Sequence, residues 1–171
     1  SLNTIWFVPF DPTTRYYQYT DPGATPQFRS YYYAIIGVDS CDLQADTMNL
    51  SRTIYLESEA NSDRTNSLQW NAYEGWLGGV AGYNIYRSID GPFQYLNSVP
   101  SGQLTYLDSI QEIIIGEGKF CYYVEAVQQL GSSVGPIIAP PEPEFFQELA
   151  RSNEDCAKPV SYTHLRAHET R

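Results

Sequence analysis

Through the middle of this chain, turn chemistry recurs about every ten residues, and the stretches between turns alternate apolar and polar side chains. Leu68-Gln69-Trp70 and Tyr83-Asn84-Ile85-Tyr86-Arg87 alternate in this way. Asp90-Gly91-Pro92 is a hairpin-turn signal, Phe93 to Leu96 continues beyond it, and Pro100-Ser101-Gly102 punctuates again. Leu104-Thr105-Tyr106-Leu107-Asp108 and Phe120 to Val127 complete the series. A period of two puts one apolar face on each strand. Two sheets packed together bury such faces, so the pattern predicts an all-β sandwich. Composition agrees: 15 Tyr and 7 Phe favour half-buried strands, and a single Met, with few Ala and Lys, argues against long helices.

The chain also repeats itself. Tyr31-Tyr32-Tyr33-Ala34-Ile35-Ile36-Gly37-Val38 aligns with Phe120-Cys121-Tyr122-Tyr123-Val124-Glu125-Ala126-Val127, an offset of 89 residues (120 minus 31). Ahead of each copy lies a similar segment, Tyr17-Gln18-Tyr19-Thr20-Asp21 against Leu104 to Asp108. That period matches a small sandwich domain, not a solenoid unit. Residues 1–58 are therefore expected to be the C-terminal part of a domain cut off upstream, its apolar face left exposed or poorly ordered. Residues 59–160 are expected to be a complete domain of seven strands in Greek-key order, with 53–60 ending one unit and opening the next. Gly131-Ser132-Ser133 and Ala139-Pro140-Pro141-Glu142-Pro143 cannot extend a ladder, so 128–151 is predicted to be a long loop. One or two helical turns are predicted over 144–150.

These residues resemble the fibronectin type III superfamily, an immunoglobulin-like β-sandwich. Leu68-x-Trp70 is similar to its second strand, Tyr83-x-Ile85-x-Arg87 to its third, and Tyr106-x-Asp108 with Tyr122-x-Val124-x-Ala126 to its fifth and sixth. The resemblance implies that Trp70 plugs the core and that Tyr122 forms a tyrosine corner, its hydroxyl bound to a backbone acceptor, with Tyr33 its equivalent in the truncated copy. A narrower resemblance rests on Trp70-Asn71-Ala72-Tyr73-Glu74-Gly75-Trp76, on Val38-Asp39-Ser40-Cys41 and on Ser152-Asn153-Glu154-Asp155-Cys156. These are similar to the repeat region of large Bacteroidetes-type gliding-motility-associated surface proteins, which carry a type B sorting domain for type IX secretion. It covers 16–58 and 62–158 and implies an extracellular or cell-surface location and a spacer or adhesive array. Residues 161–171 resemble translated sequencing-adapter read-through and are set aside as a non-native tail.

The chemistry-bearing residues are few. The two histidines, His164 and His168, both fall in the tail. Without them the chain has no Ser–His or Cys–His nucleophilic system and no His-ligated zinc. Cys121 lies in the sixth strand and Cys156 where the seventh pairs beside it, within reach of a disulfide in an exported protein. The alternative is two reduced thiols, one packed as a small hydrophobe. Cys41 is left with a partner upstream or none. The Gly75–Gly82 stretch lacks the Gly-Lys-Ser/Thr ending of a phosphate loop and reads as a flexible connection. Glu57, Glu59, Asp63, Glu74, Asp90 and Asp108 are the acids a paired-carboxylate hydrolase would draw on, but none sits in a motif. Asp90 is better explained as a turn former. Asp42, Asp46 and Asn49 are weak calcium candidates.

Aromatics are the more informative class. Trp76 and Tyr73, together with Tyr86 and Tyr95, are candidates for ligand contact, because loops at sandwich ends carry binding and Trp with Tyr stacks on sugar rings. The competing reading is packing at an interdomain joint or over the core. A formal net charge of −10 makes nucleic acid and anionic membranes poor partners and favours solubility. No run of about 18 apolar residues is present, and Ser1-Leu2-Asn3-Thr4 has neither the basic start nor the apolar core of a signal peptide.

The sequence thus predicts a non-catalytic extracellular spacer or adhesion module, with no membrane insertion, no cofactor, no metal and no catalytic residue. Its partners are neighbouring sandwich domains of the same chain and surface glycans or proteins. Two further readings stand beside it: a carbohydrate- or protein-binding module using the Trp76 loop, and an accessory domain of a secreted hydrolase.

Overall fold

A computed structural model describes residues 5–9, 11, 13, 18–39, 41, 43, 49–111, 119–129 and 148–157. Among them the chain is all-β, with ten strands in three antiparallel sheets. Three strands, β3 (Leu56–Ala60), β4 (Thr65–Trp70) and β7 (Thr105–Ser109), form one sheet in the order β3-β4-β7. A second sheet runs β10-β8-β5-β6, where β5 is Val80–Ile89, β6 Gln94–Pro100, β8 Phe120–Gln128 and β10 Asp155–Ala157. A short strand, β9 (Leu149–Arg151), also pairs with β8.

Alternation decides which face of each strand turns inward. On β8, Phe120, Tyr122, Val124 and Ala126 are buried, and on β5 Tyr83 and Ile85 meet them. Leu56, Leu68 and Trp70 come from the opposite sheet and join the same cluster of buried side chains, so the two sheets make a β-sandwich. Trp70 packs edge-on against Tyr83 across the layers, ring centroids 5.6 Å apart. The β5–β6 hairpin turns at Asp90, whose φ of 50° lies in the left-handed region that Asp tolerates. Leu96 is skipped between the pairs Ile85↔Asn97 and Tyr86↔Tyr95, which makes a bulge on β6.

Several expectations change. β3 runs through the expected division at 58/59, because Leu56 is fully buried opposite Trp70 and the sandwich already begins there. The loop expected at 128–151 is shorter at both ends: β8 extends to Gln128, and Leu149–Arg151 pairs with β8. Leu149 and Ala150 are extended, not helical, since the register Ala126↔Ala150 requires it; the rest of that segment lies outside the described residues. The expected seventh strand is broken into β9 and β10. At the break Val124 N–H donates to the Ser152 hydroxyl (3.0 Å), which stands in for a main-chain acceptor, while Ser152 N–H returns to the Val124 carbonyl (2.9 Å). The tail 161–171 with its histidines, and Tyr17, Asp42 and Asp46, lie outside the described residues.

The N-terminal part contributes a two-stranded sheet, β1 (Tyr32–Ile35) and β2 (Asn49–Arg52), paired Tyr32↔Arg52 through Ile35↔Asn49. Only Thr53, Ile54 and Tyr55 separate β2 from β3.

Candidate functional site

A polar cluster sits inside the sandwich at Tyr122. This fully buried side chain donates to Asp108 Oδ2 (2.8 Å) and accepts from Asn66 Nδ2 (2.7 Å). Arg87 Nη1 reaches both Asp108 oxygens at 2.9 Å. The backbone acceptor expected for Tyr122 is therefore replaced by a carboxylate whose charge Arg87 matches. Burial, with the Asp108 charge adding to it against the Asn66 hydrogen bond, holds the Tyr122 phenol well above its ordinary value. Asp108 is 3% exposed, and its oxygens accept from Arg87 and Tyr122. The N-terminal copy reproduces the contact: Tyr33 donates to Asp21 Oδ2 at 2.9 Å. Burial, then Asp21, pushes Tyr33 up to about 12.

The loop carrying Tyr73 and Trp76 forms a joint. Arg52 N–H donates to the Glu74 carbonyl (2.7 Å), and the Arg52 guanidinium meets the Glu74 carboxylate at 3.3 Å. Asn71 clamps the connecting residues, accepting from Tyr55 N–H (2.8 Å) and donating to the Thr53 carbonyl (3.0 Å). Gly75 has φ of 146°, and a Cβ there would lie 2.6 Å from the Ser51 Cβ. This glycine serves close approach to β2, not flexibility. Tyr73 and Trp76 lie ring to ring at 4.3 Å and pack against the core, and Tyr73 N–H donates to the Tyr83 hydroxyl at 3.1 Å. Two of the four aromatic candidates are thus joint and core residues.

The other two lie on the outer face of the five-stranded sheet. Tyr86 and Tyr123, opposite each other on β5 and β8, stack at 4.5 Å. Tyr95 meets Tyr86 edge-on at 5.9 Å and Phe93 meets Tyr123 at 4.9 Å. The Arg151 guanidinium lies 3.6 Å from the Tyr123 ring centroid and pairs with Glu154. Both faces of Tyr123 are thereby occupied, so this row ties β9, β8, β5 and β6 together. Beside it, Cys121 and Cys156, directly opposite in register, form a disulfide. Cys41 is exposed and unbridged.

Three of the remaining acids accept hydrogen bonds. Glu57 accepts from the Tyr55 hydroxyl, Asp63 from Thr65, and Asp90 from Lys119 N–H. Glu57 and Glu59 face outward over a shallow concavity shared with Gln69 and Gln103. Sequence reasoning missed the roles of Arg87, Asp108, Asn153 and Asp155. For the first two a signal exists: Arg87 and Asp108 sit on the inward phase of Tyr83-x-Ile85-x-Arg87 and Tyr106-x-Asp108, and they carry opposite charge. Asn153 reaches across to the edge strand β3, accepting from Leu56 N–H (2.7 Å) and donating to its carbonyl (2.9 Å). Asp155 accepts from Ser58 N–H at 2.6 Å.

Among the described residues no helix is long and apolar enough to cross a membrane. No protein-family model matches the chain, and no curated protein matches it. Among solved structures it is similar to the pectate lyase Pel3 of Pectobacterium carotovorum, at 18% identity over 67% of this chain with a TM-score of 0.42. The chain spans 28% of the length of that structure.

Proposed function

We propose that this chain is a non-catalytic spacer or adhesion segment of a large secreted or cell-surface protein exported by type IX secretion, built from tandem fibronectin type III-like modules. The observation that carries this reading is the doubled tyrosine–aspartate pair. Tyr122–Asp108 and Tyr33–Asp21 close at 2.8 and 2.9 Å, at matching places in the internal repeat. One such pair is a packing detail, whereas two at the period of a domain speak for modules in series. The strand orders β3-β4-β7 and β10-β8-β5-β6 support the finer, fibronectin type III-like assignment.

The spacer role draws on the joint. Three connecting residues, the Asn71 clamp and the Arg52–Glu74 pair bring the N-terminal sheet against the sandwich without a flexible linker. A disulfide on a sheet surface suits an oxidising, extracellular compartment. Recovering the full reading frame across both ends tests the proposal. Further sandwich repeats upstream and a sorting domain downstream are the expected result. A catalytic domain upstream would make this segment an enzyme's accessory instead.

A further inference from the structure

We propose that the cavity beside the β5–β6 hairpin binds the C-terminal residue of a peptide, with Arg87 on its carboxylate. The cavity measures about 280 Å³, and Arg87, Ile89, Pro92, Gln94 and Leu96 are among its walls. That size lies near the lower end of the range for ligand sites. The strand register groups these residues. Arg87 and Gln94 stand opposite each other on β5 and β6, so their side chains share a face. Ile89, two residues on from Arg87, lies on the same face and packs against the core. Leu96 is left out of the ladder by the bulge on β6 and packs against the core from that side.

Arg87 selects the charge of the occupant. Its Nη1 alone serves both Asp108 oxygens, while Nε and Nη2 make no hydrogen bond among the described residues. The side chain is only 21% exposed, so these N–H groups have little water to turn to. A guanidinium with its Nε–Nη2 edge unused is a bidentate seat for a carboxylate. The Gln94 amide, also without a hydrogen bond among the described residues, offers a donor and an acceptor to a peptide group beside that carboxylate. The walls select the rest. Ile89, Pro92 and Leu96 suit an apolar side chain, whereas a sugar acid would turn hydroxyls against them without partners. An acyl amino acid with an apolar side chain meets all three demands at once. Asp108 already draws on the same guanidinium, so the affinity expected is modest, on the order of 1 mM for a single residue.

The test titrates the full chain with N-acetyl-leucine and follows the Arg87 Nε–H resonance and the Ile89 methyl groups by NMR. Both are expected to shift together and to saturate. N-acetyl-leucine amide, which lacks the carboxylate, is expected to bind at least about ten-fold more weakly, on the scale of a charge-assisted hydrogen bond. Gln94→Glu places a second carboxylate opposite Arg87 at an exposed position. It is expected to weaken N-acetyl-leucine about ten-fold while leaving the urea midpoint nearly unchanged. Should that variant fail to fold, the comparison of acid with amide on the unaltered chain still decides. An Arg87 Nε–H that does not move up to about 50 mM ligand, or equal binding of acid and amide, overturns the proposal. Tighter binding of glucuronate than of N-acetyl-leucine overturns it too, in favour of a sugar acid. The site does not depend on the tandem-module reading, so its failure leaves the proposed function standing.

Discussion

Tyr122 takes a hydroxyl into the core because three polar side chains meet it there, and each depends on the others. Tyr122→Phe leaves Asp108 and Asn66 each one partner short, at an expected loss of about 1–3 kcal/mol in urea unfolding. Arg87→Gln is expected to cost more, about 3–5 kcal/mol, since it strands a carboxylate that is almost wholly inaccessible to water. If Arg87→Gln proves the milder change, the pair is not what holds this corner. A double-mutant cycle between the two positions should show strong coupling. Trp70 and Tyr122 were readable in the sequence because both sit in phase with apolar neighbours. Their polar companions were not, because alternation marks a charged residue on an inward phase without saying which distant strand supplies its partner.

The ending of the sandwich shows where pattern reading stops. The strands β4 to β8 follow alternation and turn chemistry, except that β5 begins at Val80, inside the glycine-rich stretch read as a flexible connection, and β6 runs on to Pro100, read as part of a turn. The seventh strand does not announce itself, because it is two three-residue pieces around Ser152-Asn153-Glu154, too short for a period to show. Its side chains replace ladder bonds: Ser152 completes β8, while Asn153 and Asp155 dress the open edge of β3. The disulfide anchors this patchwork. Replacing Cys121 and Cys156 together with serine is expected to cost about 3–4 kcal/mol in urea unfolding by loop-closure entropy, given their separation of 35 residues. A loss below about 1 kcal/mol would mean that side-chain bonds alone hold β10. The joint is the other element that pattern misread, as flexible glycine. Gly75→Ala is expected to speed amide exchange at Arg52 while leaving the urea midpoint of the sandwich nearly unchanged.

At the scale of the whole molecule, the two copies differ in what surrounds their tyrosines, and pH reads the difference. Tyr31 is held down to about 8 by a hydrogen bond from the Thr25 side chain, then by Arg29 and the Thr25 main chain. From pH 8 to 10 the folded chain has released this proton while the unfolded chain keeps it, so this group adds stability as pH rises. Above pH 10 the sign reverses. Burial keeps Tyr33, Tyr83, Tyr86 and Tyr122 protonated in the folded chain after the unfolded chain has ionised, so stability falls as pH rises past 10, for Tyr33 through about pH 12. Phenolate absorbance should show an early step near pH 8 that Tyr31→Phe removes; absorbance that stays flat to pH 9 would refute the assignment. Ile54 and Leu56 are buried in the sandwich core, which the sequence marked only as part of one short apolar stretch, Ile54-Tyr55-Leu56. The cross-strand sulfur bridge has a mechanical meaning as well. A lengthwise pull between the start of β3 and the end of β10 would load β10, only three residues on a sheet margin, in shear against its neighbours. The bond from Cys156 to Cys121 diverts that load into β8, which is flanked on both sides and must slide along the length of β5 before it gives way.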